Sequence, residues 1–483
     1  MTARASWSGW DGRRLSWRCD DDAETTLFLD DVPFRRFGAQ RGDFDRNFPF
    51  SPSGRDELAF SVRANDAIVL APWRVRHGKP APPGSDQWTG ASPAMLPLFP
   101  APSTREPRDR AIAIVVPIYN SPNLVARCIA SVLRWTPRGT RLILIDDAST
   151  DPHIAPLLQA HAGHPQITIH RNDANRGYTG SVNIGIALAR DADVVLLNSD
   201  TEVGPRWLHG LAFAAYAAED IATSTAVSDN AGAFSVPELE QYCPTPERWD
   251  LPTAQRAVLQ NAGLRYPELP TGNGFCLYIK RRVIERIGTM DEQAFAQGYG
   301  EENDFCQRAE RAGFRHVIAG NVLVRHARSA SFGHERRAAL GAQGMAVLRA
   351  RYPDYEAKVG TTLFRFERRV LDYRVRRTYD IRDAIRPRVL VAPDAITATL
   401  PIHCEFIVVR ENGSWHRADD DALIAPAGGA LIEQLAATGV EAVFGERFAE
   451  AAQALDLPRF ASPAAAAASF DVPTTTDRAS ASA

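Results

Sequence analysis

The sequence has no long hydrophobic run, no paired-cysteine spacing and no excess of positive charge, and each absence removes a class of protein. No window approaches the ~20 apolar residues that a membrane span needs. Residues 1–30 carry "CDDDAE" and lack the apolar core of a signal peptide. The six cysteines, Cys19, Cys128, Cys243, Cys276, Cys306 and Cys404, show neither CxxC nor a metal-ligand spacing, and several lie in apolar periodic segments. They read as buried reduced thiols. The net charge is −3, and the basic residues, nearly all arginine, are scattered, which leaves no electrostatic footprint for nucleic acid. A cytoplasmic protein is expected, peripheral at most to the inner face of the cell membrane.

What is present points to a multidomain globular chain. Apolar residues make up 45% and charged ones 23%, the balance of a soluble fold. At 483 residues, a prior of ~100–200 residues per domain suggests about three units. Residues 1–75 hold short runs of β-formers such as "RLSWRC", "TTLFLDDVPF" and "LAFSVRA", with Asp30-Asp31 suited to a tight turn, and predict a small β-sandwich. Residues 76–109 are crowded with proline and read as a linker. Residues 386–461, with "RVLVAPD", "CEFIVVRENGSW", "ALIEQLAATG" and "EAVFGE", predict a small α/β unit without a catalytic set. From 462 the chain is low-complexity and reads as a disordered tail.

Between them, residues 110–380 alternate strand and helix. "IAIVVPIY" (112–119) is a buried strand, and "PNLVARCIASVLRW" (122–135) sets Val125, Cys128, Ile129 and Val132 at helical spacing. "RLILIDD", a helix over 152–161, "ITIHRN", a helix over about 179–190, "DVVLLNSD" and a helix from Pro205 follow. Four βα units in series predict an α/β fold with a mainly parallel sheet covered on both faces, which binds ligands at the carboxyl ends of its strands.

Each of those strands ends in polar groups. The first runs into Pro117, Tyr119 and Asn120, the second into Asp146 and Asp147 with "ASTD", the third into "NDANRGYTGSVN", and the fourth from Leu197 into Asn198, Ser199 and Asp200. Singly, each reads equally well as a turn or a helix cap. Together they outline a cleft for a nucleoside diphosphate. Asp146 or Asp147 could accept from a pyrimidine N3–H or from ribose hydroxyls, Tyr119 offers a ring and Arg176 could meet phosphate. Asp200 presents a hard oxygen for Mg²⁺ or Mn²⁺, to which Asn198 can add a carbonyl.

At this point the chain resembles the inverting glycosyltransferases of family 2. The resemblance covers about residues 110–335 and rests on "VVPIYNSPNLVARCIASV", "LIDDASTD", "NRGYTGSVNIGI", "VVLLNSDTEV", "TGNGFCLYIKR" and "GYGEENDFCQRAERAGF" in that order. It implies a GT-A nucleotide-diphospho-sugar transferase fold, Rossmann-like, and a metal-dependent transfer from a UDP- or dTDP-sugar to a glycan or lipid-linked glycan, in O-antigen or capsule synthesis, including rhamnose-containing polymers. "NSD" looks like the family's DxD metal motif, with Asp200 as its terminal aspartate and Asn198 in place of the first. The resemblance also puts Asn175, Arg176, Gly177, Gly272, Asn273 and Gly274 around the donor. His326 matches a histidine that completes the metal site in relatives.

Glu302 matches the catalytic base, with Glu301 as rival. On the expected helix Glu302 shares the buried side with Phe305, Cys306 and Ala309, where a carboxylate in the first turn suits a general base. Two other readings stay open at the level of sequence: a non-catalytic module that binds sugar nucleotides or glycans, and a nucleotidyltransferase, for which no glycine-rich triphosphate loop is evident.

Overall fold

The computed structural model describes residues 4–29, 32–48, 57–64, 67–85, 111–239, 242–263, 266–327, 334–363, 365–391, 404–421, 423–425, 431, 435, 438–444, 446–454 and 457–460. Most of the expected linker, the Asp30-Asp31 turn, most of "ALIEQLAATG" and the tail lie outside them.

The amino-terminal strands are β1 (Ala5–Trp10), β2 (Arg14–Cys19), β3 (Thr25–Leu29), β4 (Val32–Phe37), β5 (Gly42–Asn47), β6 (Glu57–Ala64) and β7 (Ala67–Arg76). They form two antiparallel sheets, β1-β2-β5 and β4-β3-β6-β7. Both contribute to one core, in which Trp10, Trp17, Phe44, Phe60 and Trp73 are buried. This is the expected two-sheet packing, with large rings filling the space between the layers.

The central sheet has eight strands: β8 (Ile112–Ile118), β9 (Arg141–Asp146), β10 (Ile167–Arg171), β11 (Asp193–Leu197), β12 (Thr201–Glu202), β13 (Ile221–Ser228), β14 (Cys276–Ile279) and β15 (Arg315–His326). Their spatial order is β10-β9-β8-β11-β14-β13-β15-β12. The α-helices are α1 (Pro122–Trp135), α2 (Ile154–Gln159), α3 (Gly177–Leu188), α4 (Trp207–Tyr216), α5 (Leu251–Asn261), α6 (Arg281–Ile287), α7 (Glu301–Arg311), α8 (His334–Arg351), α9 (Tyr355–Leu363) and α10 (Phe366–Asp380). Apolar residues alternate between the faces: Ile114, Val116, Val195 and Leu197 join one core, Ala113, Val115, Val194 and Leu196 the other. Continuous apolar strands are what a sheet covered on both faces requires.

Two reversals in this sheet place the site. β14 runs antiparallel beside β11, with Cys276 opposite Leu197, so the segment entering β14 lies next to the polar residues leaving β11. β12 then pairs antiparallel with β15 through Thr201 and His326, and the Ala327 amide donates to the Asp200 carbonyl at 3.0 Å. Segments more than a hundred residues apart thereby share one edge.

The carboxyl-terminal unit is a six-stranded sheet of β16 (Arg388–Val391), β17 (Glu405–Val409), β18 (Trp415–Arg417), β19 (Leu423–Ala425), β20 (Val440–Phe444) and β21 (Arg459–Phe460), in the order β19-β18-β17-β16-β20-β21. It docks on the central domain: Phe213 of α4 is buried in its core, and Arg256 of α5 makes a buried ion pair with Glu441. Among the described residues no helix is long and apolar enough to cross a membrane.

Candidate active site

A cavity of about 570 Å³ opens at the carboxyl edge of the central sheet. Of the residues singled out in the sequence, Pro117, Tyr119, Asp147, Asn175, Gly177, Asn198, Ser199, Asp200, Asn273, Gly274, Glu301, Glu302 and His326 line it. Asn120, Asp146, Arg176 and Gly272 do not appear in its wall and act behind it. Asn120 Oδ1 accepts from the amides of Thr150 and Asp151, both at 2.9 Å. Asp146 is fully buried, accepts from the Ser149 amide at 2.9 Å and pairs with Arg171. Arg176 reaches Glu292 at 3.8 Å, and the Gly272 amide donates to Cys306 Sγ at 3.1 Å.

The wall is built by strand ends and helix starts. Pro117 sits one residue before the end of β8, beyond Val115, the last residue of β8 paired with β11, so a missing N–H disturbs no bond on that side. Asp147 Oδ1 accepts from Asn172 Nδ2 at 2.8 Å and from the Arg176 amide at 2.7 Å, which fastens the end of β9 to the start of α3. Gly177 opens α3 at φ 75°, and a Cβ there would lie 2.2 Å from the Ala296 carbonyl oxygen, a left-handed position and close approach only glycine fills. At Gly274 a Cβ would lie 2.5 Å from the Tyr178 hydroxyl, which donates to the Gly274 carbonyl at 3.2 Å.

At the centre, His326 Nε2 lies 3.3 Å from Asp200 Oδ1. The histidine is fixed from behind: its amide donates to Asp229 Oδ1 at 3.0 Å, its Nδ1 is 3.0 Å from the Asn230 carbonyl, and its ring stacks on Phe275 at 5.3 Å and 17°. Nδ1–H donating to that carbonyl leaves the Nε2 lone pair facing a carboxylate oxygen. Two electron-rich atoms so placed fit a cation between them, and a carbonyl behind the ring is the usual second support of a ligating histidine. Asn198 Oδ1, buried in the same wall, has no hydrogen-bond partner. A carboxylate, an imidazole and an orphan amide oxygen suit Mn²⁺ or Mg²⁺ completed by phosphate oxygens. Among the described residues, no group of three or more His, Cys, Asp and Glu could hold a metal by itself.

The same cavity is lined by Glu301 and Glu302, the first residues of α7. Burial, then the charge of Glu302, then a hydrogen bond given to Glu302 raise Glu301 well above the usual carboxyl range. Glu301 Oε2 also accepts from the Gly300 amide at 3.1 Å. Burial raises Glu302 too, against the hydrogen bond from Glu301, which lowers it. Both carboxyls are thus raised, Glu301 the more strongly, which favours Glu301 as the holder when the pair shares one proton. Glu302 is half-buried, and its Oε2 is left without a partner. Tyr178 beside them is raised well above its ordinary value by burial and by the charges of Glu301, Glu302 and Asp200.

Several contributors escaped the sequence reading. Ser121, Tyr178, Ala231, Gly232, Ala233, Phe275 and Tyr299 also line the wall, and Ser121 and Tyr299 hold left-handed φ of 58° and 65°. Strain of that kind leaves no mark in a residue pattern. Asp304, fully buried, anchors α7 by accepting from Arg308 Nε, Arg351 Nη1 and the Tyr352 hydroxyl, each at 2.8 Å.

The chain is similar to several known proteins. Residues 113–288 match the family described as Glycosyl transferase family 2. The succinoglycan biosynthesis protein ExoU of Rhizobium meliloti (strain 1021) is 26% identical over 228 residues, 46% of this chain and 64% of that protein. The succinoglycan biosynthesis protein ExoO of the same organism is 34% identical over 94 residues, 20% of this chain and 26% of that protein. The chain thus spans less than two thirds of the length of these relatives. A solved mannosyltransferase, PcManGT from Pyrobaculum calidifontis in complex with GDP-Man and Mn²⁺, is 17% identical at a TM-score of 0.40, covering 57% of this chain and 76% of that one. Over residues 113–288 the central domain of this chain is thus similar to glycosyl transferase family 2.

Proposed function

We propose that this chain is an inverting glycosyltransferase that moves a sugar from a nucleoside diphosphate, UDP- or dTDP-linked, to a hydroxyl of a glycan or lipid-linked glycan during assembly of a bacterial surface polysaccharide. The observation that carries the reading is that one cavity holds both a cation-compatible pair, Asp200 and His326, and a carboxylate with a free oxygen, Glu302. A leaving-group site and a base in one cavity are what direct displacement needs. The similarity to two succinoglycan biosynthesis proteins supports a polysaccharide as acceptor.

Asp200, His326 and Asn198 would hold the divalent cation, which when bound offsets the negative charge of the diphosphate. Pro117, Tyr119, Asp147 and Asn175 surround the nucleotide, and the amino terminus of α3 at Gly177 favours anionic groups near it. Ser199, Asn273 and Gly274 face the sugar. Glu302 takes the proton of the acceptor hydroxyl as its oxygen attacks the anomeric carbon opposite the departing nucleotide. Glu301, the more strongly raised of the pair, favours the ionised form of Glu302 by the hydrogen bond it gives. Asp146 and Arg176 position the wall, through Arg171 and the start of α3. A panel of nucleotide sugars with Mn²⁺, scored by nucleoside diphosphate release, tests the proposal. Release from none of them, with or without a polysaccharide primer, would contradict it.

A further inference from the structure

Behind the cavity lies a charged network with no part in the chemistry above. α10 is strongly polar in sequence, yet Arg368, Arg369, Asp372 and Arg376 are all buried. Arg368 and Arg376 lie eight residues apart, two turns along one face, with Asp372 between them and 3.0 Å from Arg368 Nη2. Beyond Asp372, the hydrogen bonds these two arginines make go to one segment, residues 229–238 after β13, while Arg368 Nε and Nη1 and Arg376 Nε are buried without a partner among the described residues. Arg368 Nη2 donates to the Ser235 carbonyl at 2.6 Å, and Arg376 Nη2 donates to the Pro237 carbonyl at 3.4 Å and to the Glu238 carboxylate. From the next position of the helix, Arg369 Nη1 donates to the Leu29 carbonyl at the end of β3, at 2.5 Å.

The other side of that segment is the cavity. Ala231, Gly232 and Ala233 are wall residues, Asp229 accepts from the His326 amide and the Asn230 carbonyl faces His326 Nδ1. Burying several guanidinium groups is costly unless each is paired, so a helix that does it where leucine would serve is fixing geometry at the expense of stability. Fixed positions are what a ligating histidine needs from its surroundings.

We infer that Arg368 and Arg376 are positioning residues, a clamp that holds segment 229–238 and through it His326, with the amino-terminal β-sheets gripping the same helix from behind at Leu29. The inference rests on the proposed role of His326 for its catalytic meaning. The clamp itself is a claim about the segment and can be tested without it.

The test uses the full chain and four forms: wild type, Arg376→Met, Arg376→Lys, and Arg388→Met as control. Arg388 pairs with Glu405 at 2.6 Å and donates to the Thr438 carbonyl at 2.6 Å in the carboxyl-terminal unit, away from the segment. Two quantities are read: amide hydrogen exchange in peptides covering 229–238 and His326, and affinity for UDP and dTDP with Mn²⁺. Arg376→Met is expected to exchange faster in both peptides and to bind about tenfold more weakly, the range for a lost support of a metal ligand. Arg376→Lys should recover most of both, and Arg388→Met should match wild type in both. Unchanged exchange at 229–238 and His326 in a folded Arg376→Met overturns the clamp, as does equal acceleration in Arg388→Met. If wild type binds no nucleoside diphosphate, the proposed function fails while the exchange data still decide the clamp.

Discussion

Replacing Glu302 by glutamine removes the carboxylate of the pair while keeping its shape, and the two glutamates make the experiment discriminating. Burial, the charge of Glu302 and a hydrogen bond given to Glu302 raise Glu301 well above the usual carboxyl range. Glu301→Gln keeps the contacts of a protonated Glu301: the amide N–H₂ can still donate to Glu302, and the amide oxygen can still accept from Gly300. Glu302→Gln instead deletes the group proposed to take the acceptor proton, a loss of about 10²–10⁴ in turnover. That corresponds to about 3–5 kcal/mol of transition-state stabilisation. The assay is nucleoside diphosphate release from the best donor of the panel, with donor affinity measured in parallel by calorimetry. Glu302→Gln should bind donor like wild type and turn over at least a hundredfold more slowly, and Glu301→Gln should lose less than about tenfold. A larger loss in Glu301→Gln would refute the assignment and move the base to 301.

Three further outcomes follow from particular contacts. Gly177→Ala puts a Cβ 2.2 Å from the Ala296 carbonyl oxygen at a φ of 75°; the left-handed cost alone is about 1–2 kcal/mol, so the melting temperature should fall together with nucleotide affinity, and no change in either would contradict the close approach. Lys280 is buried over the Tyr216 ring at 4.5 Å, and burial lowers it from 10.5 to about 7. Between those values the unfolded chain binds the extra proton, so wild-type stability should rise as pH increases from 7 towards 10 and Lys280→Met should lose that rise in thermal melts; identical slopes would refute it. A fragment of residues 110–380 keeps every residue named in the cavity wall but strips Glu441 from the buried Arg256 and uncovers Phe213. A buried charge without its partner costs about 3–5 kcal/mol, so the fragment should melt well below the full chain while still releasing nucleoside diphosphate slowly by hydrolysis, and a folded fragment that binds nucleotide but shows no release would assign part of the active site to a flanking unit.

What was legible in the sequence is what depends on local pattern. The four apolar strands, the buried side of α1 at Val125, Cys128, Ile129 and Val132, and the polar strand ends all follow from periodicity, and the structure differs there mainly at boundaries, such as α3 beginning at Gly177 rather than near 179. The sequence of βα units could not reveal the reversed strand β14 or the pairing of Thr201 with His326, because strand order is set by contacts between distant segments. Asp146 was ambiguous for the same reason: the Arg171 that occupies it lies 25 positions away and reaches it only once β9 and β10 pair. The inward arginines of α10 were invisible since a charged helix ordinarily reads as solvated, and it takes the carbonyls of Ser235 and Pro237 with the carboxylates of Glu238 and Asp372 to partner them. The helix face pointed to Glu302 as the buried carboxylate, but the structure buries Glu301 and leaves Glu302 half-buried, because exposure at the start of α7 is set by the cavity around both.

The most direct test of the account is a calorimetric titration of wild type and Asp200→Ala with UDP and with dTDP, each with and without Mn²⁺. Wild type is expected to bind one of them only when Mn²⁺ is present, and Asp200→Ala to lose that metal-dependent binding while its circular dichroism spectrum stays unchanged. Equal affinity in the two proteins with Mn²⁺ present would contradict the assignment of Asp200 and His326, and with it the central claim about this cavity.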